Sequence, residues 1–147
     1  MKYMPIIALF GLSACMQPAA LPNPGVPTLS CTVASFSTDT GNADFISGNS
    51  AKRFTIRSTT DGFTSEVRSD TFANSTTDFA IYNIGDTRIS ARERGQTDAS
   101  SLRFTLEIDR ASSGGTRRAI QTMQVDSSTN ERGYTQNQWI LDCLDQS

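Results

Sequence analysis

The chain is predicted to be all-β, a small antiparallel meander of about eight strands, on two observations. Apolar and polar residues alternate with a period of two in several separate runs, which puts one face of each segment on a core and the other in water. Turn-forming residues fall between those runs at short intervals, so consecutive strands become antiparallel neighbours. A meander of this length has to deal with its two edges, either by closing into a barrel or by folding into a two-layer sandwich.

Strands are expected near 31–36, 52–59, 63–72, 78–84, 87–94, 102–109, 117–125 and 134–144, with 43–47 as an extra of weaker pattern. The clearest is Leu102, Phe104, Leu106 and Ile108, interleaved with Arg103, Thr105, Glu107 and Asp109. Phe54 and Ile56 alternate in the same way with Arg53, Thr55 and Arg57, and Ile89 and Ala91 with Arg88, Ser90 and Arg92. Asp61-Gly62 lies between two runs and suits a type I′ hairpin, whose two central residues both need positive φ. Ile84-Gly85-Asp86 and Ser113-Gly114-Gly115-Thr116 supply further turns. Parity blurs in Phe79 to Ile84 and breaks across Ile120, Met123 and Val125, where a bulge would restore it. Phe54, Phe63, Phe79, Phe104 and Trp139 read as core from their alternating positions. Ser65, Ala91 and Thr122 read as inward residues small enough to leave space.

Near the N-terminus, Lys2 precedes the apolar run Ile6 to Leu12, which is much shorter than the ~20 residues of a membrane-spanning helix but has the length of a signal-peptide core. It ends in Leu12-Ser13-Ala14-Cys15, which resembles the lipobox of bacterial lipoproteins. The resemblance covers residues 1–15 and implies cleavage before Cys15, acylation of its thiol and attachment to a membrane. Met16 stands where retention in the inner membrane usually shows Asp, so the outer membrane is implied. Acylation would also resolve an odd cysteine count: with Cys15 consumed, Cys31 and Cys143 remain as a pair in a compartment where disulfides persist, and they are expected to be bonded. A bond between first and last strands favours a closed or nearly closed barrel over the sandwich. An immunoglobulin-type sandwich is disfavoured further, because Trp139 lies four residues before Cys143 and not between bridged cysteines. The chain thus divides into a signal peptide at 1–14, a lipidated cysteine with a proline-rich tether at 15–30, and one all-β domain at 31–147. Pro18, Pro22, Pro24 and Pro27 favour an extended tether, with a reach on the order of 40 Å.

Composition narrows the function. The chain has no histidine, and only Lys52 among its lysines follows Cys15, which takes away the usual bases for a nucleophilic serine or cysteine. No Ser-x-x-Lys, Gly-x-Ser-x-Gly or phosphate-binding glycine motif is present. The carboxylate pairs Glu66 with Asp70 and Glu107 with Asp109 read as solvated strand faces before they read as a glycosidase pair. No cofactor and no metal are expected, so the chain reads as a non-enzyme. After cleavage it carries twelve basic and fifteen acidic side chains, a net charge of −3 that argues against nucleic acid.

Two non-catalytic roles remain. The first is an envelope protein that docks to a partner protein, with Arg88, Arg92, Arg94 and Arg103 as an outer basic stripe for carboxylate or phosphate groups. The competing reading of that stripe is cross-strand pairing with Glu93, Glu107 and Asp109. In layout the chain is similar to the small periplasmic lysozyme inhibitors, which are lipid-anchored, all-β and cysteine-bridged and act through a Ser-Gly-rich loop. Ile46-Ser47-Gly48-Asn49-Ser50-Ala51 is the segment nearest to such a loop. The second role is a carrier that encloses an apolar ligand, as lipocalins do.

Overall fold

A computed structural model describes residues 19–146 of the chain; the Leu12–Cys15 lipobox and the signal segment lie outside the described residues. Eight strands follow one another in a single antiparallel meander that closes on itself: β1 (Thr28–Thr38), β2 (Arg53–Thr59), β3 (Gly62–Arg68), β4 (Ser75–Ile84), β5 (Arg88–Glu93), β6 (Leu102–Asp109), β7 (Thr116–Asp126) and β8 (Tyr134–Gln146). Each strand pairs with its sequence neighbours, and β1 pairs with β8 to complete the barrel. Closure leaves no unpaired edge.

At the seam Cys31 and Cys143 are direct partners in the β1–β8 register, and they are joined by a disulfide. A link spanning 112 residues removes about 4 to 5 kcal/mol of unfolded-chain entropy in the loop-closure model. Both sulfurs sit in the core with Leu29, Ile56, Phe63, Phe79, Ile81, Ile89, Leu106, Ile108 and Leu141, all buried.

One short helix, α1 (Ala43–Ser50), occupies the connection between β1 and β2. The extra strand expected at 43–47, and the loop sought at Ile46–Ala51, are both replaced by it. The cause is local: the Asn42 side chain caps the helix by accepting from the Phe45 N–H at 3.0 Å, and Asp44 lies in the first turn. Phe45, Gly48 and Asn49, at helical spacing, then face the barrel. The expected strand 63–72 also ends early, at Arg68. There the Ser69 hydroxyl accepts from the N–H groups of Thr71 and Phe72, and Asn74 accepts from the Ser69 N–H, so 69–74 forms a loop.

Asp61-Gly62 does end up at a hairpin, but not as its central pair. Thr59 and Gly62 face each other, so Thr60-Asp61 make the turn, and neither Asp61 nor Gly62 has positive φ. Gly62 is required for another reason: a Cβ there would fall 1.8 Å from the carbonyl oxygen of Phe79 on β4. The double positive φ of a type I′ turn occurs instead at Gly114 (62°) and Gly115 (78°), between bridged Ser113 and Thr116. No bulge interrupts β7, whose register against β6 and β8 is continuous. Its inward side reads Ala119, Gln121, Met123, so Ile120 and Thr122 face outward and Thr122 leaves no space inside. Bulges occur at Val33/Ser35 in β1 and Ile81/Asn83 in β4, and the second explains the blurred parity of Phe79 to Ile84.

The proline-rich segment is less free than expected. The Leu21 N–H donates to the Ile81 carbonyl at 2.9 Å, the Asn23 N–H to that of Thr60 at 2.9 Å, and the Asn23 amide to that of Gly62 at 2.8 Å. Val26 is buried in the core, its carbonyl accepts from the Ser58 hydroxyl, and Thr28–Ser30 already belong to β1. Residues 21–27 therefore form a strap over the barrel end where β1 begins. The tether expected over 15–30 is shortened accordingly.

Candidate functional site

The two ends of the barrel are built differently. At the end where β1 begins, the strap is tied to the β2–β4 part of the rim and the Arg117–Asp145 pair occupies the β7–β8 part. Arg117 on β7 faces inward, and its Nε and Nη2 donate to both Asp145 carboxylate oxygens at 2.7 and 2.8 Å. Its Nη1 donates to the carbonyls of Asp109 and Arg110. With side chains 6 % and 19 % exposed, the two charges are largely out of water, and every guanidinium nitrogen has a partner. The hydrogen bond from Arg117 holds the Asp145 carboxyl below its ordinary value, against the opposing effect of burial.

The opposite end is hollow. A cavity of about 350 Å³ opens beneath α1 and the 69–74 loop, within the range of small-molecule sites. Phe54, Val67, Phe104, Met123 and Trp139 form its apolar wall, and Phe45 of α1 and Phe72 of the loop sit over it. Phe45 meets Phe36 and Phe72 edge-on, with ring centres 5.9 and 5.8 Å apart, and Phe36 and Phe54 both pack on Trp139. The cap is closely fitted, since a Cβ on Gly48 would lie 2.7 Å from the Phe72 ring. Exposed Ala73 and Ser75 on one side of the lining bring the cavity to solvent.

Three amides, two hydroxyls and one amine supply the polar part of the wall. Gln121 is 3 % exposed, and its Oε1 accepts from the Ser65 hydroxyl at 2.8 Å across the interior. Asn137 Oδ1 accepts from the Thr38 hydroxyl at 2.6 Å, and Asn49 Nδ2 donates to the Phe45 carbonyl at 2.9 Å. Lys52 Nζ stands 5.1 Å from the ring centres of both Phe72 and Trp139. Burial pushes its pKa below the ordinary lysine value. Among the described residues Lys52 takes part in no ion pair, and no aspartate or glutamate lines the cavity.

The arginines singled out in the sequence share the outer face of β5 and β6, away from this cavity. Arg88 reaches Glu107 and Asp109 at 3.2 and 3.6 Å, Arg94 reaches Asp61 at 2.8 Å, and Arg103 reaches Asp126 at 2.9 Å. Arg92 stacks over Tyr82, 4.8 Å from its ring centre. The carboxylate pairs also meet arginines: Glu66 meets Arg57 at 3.6 Å, Asp70 meets Arg53 at 3.7 Å, and Glu107 and Asp109 share Arg88. Among the described residues no group of three or more histidine, cysteine, aspartate or glutamate side chains is placed to hold a metal ion, and no helix is long and apolar enough to cross a membrane.

Sequence reasoning placed Phe54, Phe104 and Trp139 inside the barrel but missed Phe45, Asn49, Lys52 and Phe72, which cap it. The available signal was the Asn42 cap followed by Phe45, Asn49 and Lys52 at helix-like spacing. No protein-family model matches the chain, and neither a curated protein nor a solved structure matches it. Function is therefore argued from the site itself.

Proposed function

We propose that this protein is a non-catalytic binding barrel that takes a small, largely apolar ligand into its α1-capped end, in the manner of a carrier. The observation that carries this reading is the unequal filling of the interior, with a cavity of about 350 Å³ walled by aromatic side chains above a core of fully buried residues. It is preferred to docking of a protein partner through the arginine stripe, because Arg88, Arg94 and Arg103 are engaged by neighbouring carboxylates and Arg92 by Tyr82. Attachment to the outer membrane through acylated Cys15 belongs to the same proposal. It is supported by the lipobox resemblance and by the Cys31–Cys143 bond, which pairs the other two of the chain's three cysteines with each other.

Native mass spectrometry of the detergent-extracted protein is the test, with Val67→Phe as the blocking variant because Val67 lines the cavity. Wild type is expected to carry a bound small molecule or to take up an apolar probe. Val67→Phe is expected to stay folded and lose that uptake. A wild-type barrel that takes up nothing would sink the carrier reading. Palmitate labelling checks the anchor separately, with label expected on the parent and absent from Cys15→Ser.

A further inference from the structure

Lys52 is the one charged side chain in the cavity lining, and among the described residues it takes part in no ion pair. It is a half-buried ammonium facing the rings of Phe72 and Trp139, with Nζ 5.1 Å from each ring centre, and no carboxylate. Ring faces attract a cation but leave it without a counter-charge. The rest of the lining is neutral: aromatic and aliphatic side chains, the amides of Asn49, Gln121 and Asn137, and the hydroxyls of Ser75 and Thr77. What the wall offers a guest is thus a single positive charge beside a largely apolar surface.

We infer that the ligand is a small amphiphile with a single carboxylate head, held by Lys52, with its apolar body lying among Phe54, Val67, Phe104 and Met123. A carboxylate supplies the missing counter-charge, and a charge-assisted bond in a partly desolvated site is stronger than one between neutral groups. The volume sets the size of the guest. It is more than twice the ~150 Å³ of an engineered cavity that admits benzene, which corresponds to a guest of about a dozen non-hydrogen atoms. This inference rests on the ligand-binding reading of the cavity and adds the chemistry of the head group.

Calorimetric titration with decanoate, decanol and decyltrimethylammonium separates the two. Wild type is expected to bind decanoate about tenfold more tightly than decanol and to bind the cationic amphiphile least. Lys52→Met is expected to bring decanoate and decanol to within about twofold, and Lys52→Arg, which keeps the charge, to preserve most of the preference. Equal binding of decanoate and decanol by wild type, or a preference that survives Lys52→Met, would overturn the head-group inference and leave the carrier reading standing. Binding of neither amphiphile would overturn both. Thermal unfolding of each variant establishes that a lost preference reflects the site and not an unfolded chain.

Discussion

The two ends of this barrel share the same strands and the same wall, yet one is sealed and the other is hollow. At the sealed end Leu29, Phe63, Phe79, Ile89 and Ile108 are buried, residues 21–27 tie down the β2–β4 rim, and the inward-facing charges, Arg117 and Asp145, satisfy each other. At the hollow end the inward charge, Lys52, has no counter-charge, the indole beside it has no acceptor, and the cover is one short helix and a six-residue loop. The difference teaches that stability and binding are divided along the barrel axis. Residues at one end pair and pack with one another, while those at the other line a cavity and leave Lys52 without a counter-charge, as the proposed carrier role requires.

The largest expected effect separates the ends by packing. Phe63→Ala at the sealed end removes a fully buried ring and is expected to cost about 4 kcal/mol, whereas Phe72→Ala at the hollow end, only partly buried, should cost below about 2 kcal/mol. Denaturant unfolding of the two variants measures the gap, and similar losses would break the division. Next comes Asp145→Asn, which strands Arg117 without its counter-charge. Allowing for the partial exposure of Asp145, a loss of about 2 kcal/mol at neutral pH is expected. Because the folded Asp145 carboxyl titrates below 3.8, its stabilisation is in place above that value and disappears as pH falls through the folded pKa. Melting temperature followed from pH 7 to 2 should therefore converge for wild type and Asp145→Asn at the acid end.

Smaller still is Gln121→Met, which leaves the buried Ser65 hydroxyl without its acceptor and is expected to cost about 1 kcal/mol, recovered when Ser65→Ala is added. The smallest effect has the opposite sign. Burial lowers the Lys52 pKa, so its protonated form opposes folding at neutral pH, and stability should climb as pH rises through the folded pKa toward 10.5. Lys52→Met is expected to stabilise the empty protein slightly, by less than about 1 kcal/mol in a partly exposed site, which melting temperature reads as a small rise, and to flatten that alkaline rise. A destabilised Lys52→Met would mean that the ammonium is needed for packing and not held for a guest.

The strands with clean alternation were legible in the sequence. Leu102 to Asp109 appears in the structure with the bounds its pattern predicts, because Leu106 and Ile108 are fully buried on one face and a one-residue slip would turn them outward, although Leu102 at the strand's start is exposed. The Cys31–Cys143 bond and barrel closure were legible as well. Where inward residues were assumed apolar, the reading failed. Gln121 occupies an inward position on β7 because Ser65 offers it a partner across the barrel, a contact 56 residues distant in sequence that no local period encodes. The cavity was illegible for a related reason. Its volume is the space left by inward side chains from many strands and by a cap whose helix has only eight residues, too few to show an amphipathic stripe. Lys52 drew notice only as an absent catalytic base, since its meaning depends on the two rings that the fold brings to it.

The bond between Cys31 and Cys143 also makes the chain a covalent ring from β1 through β8. A protease that cuts any one loop between those cysteines, such as Gly95–Ser101 or Ser127–Gly133, opens the ring but releases no fragment, and the paired neighbours of the cut strands still hold them in register. Two cuts, or one cut and a reductant, are needed before a piece can leave.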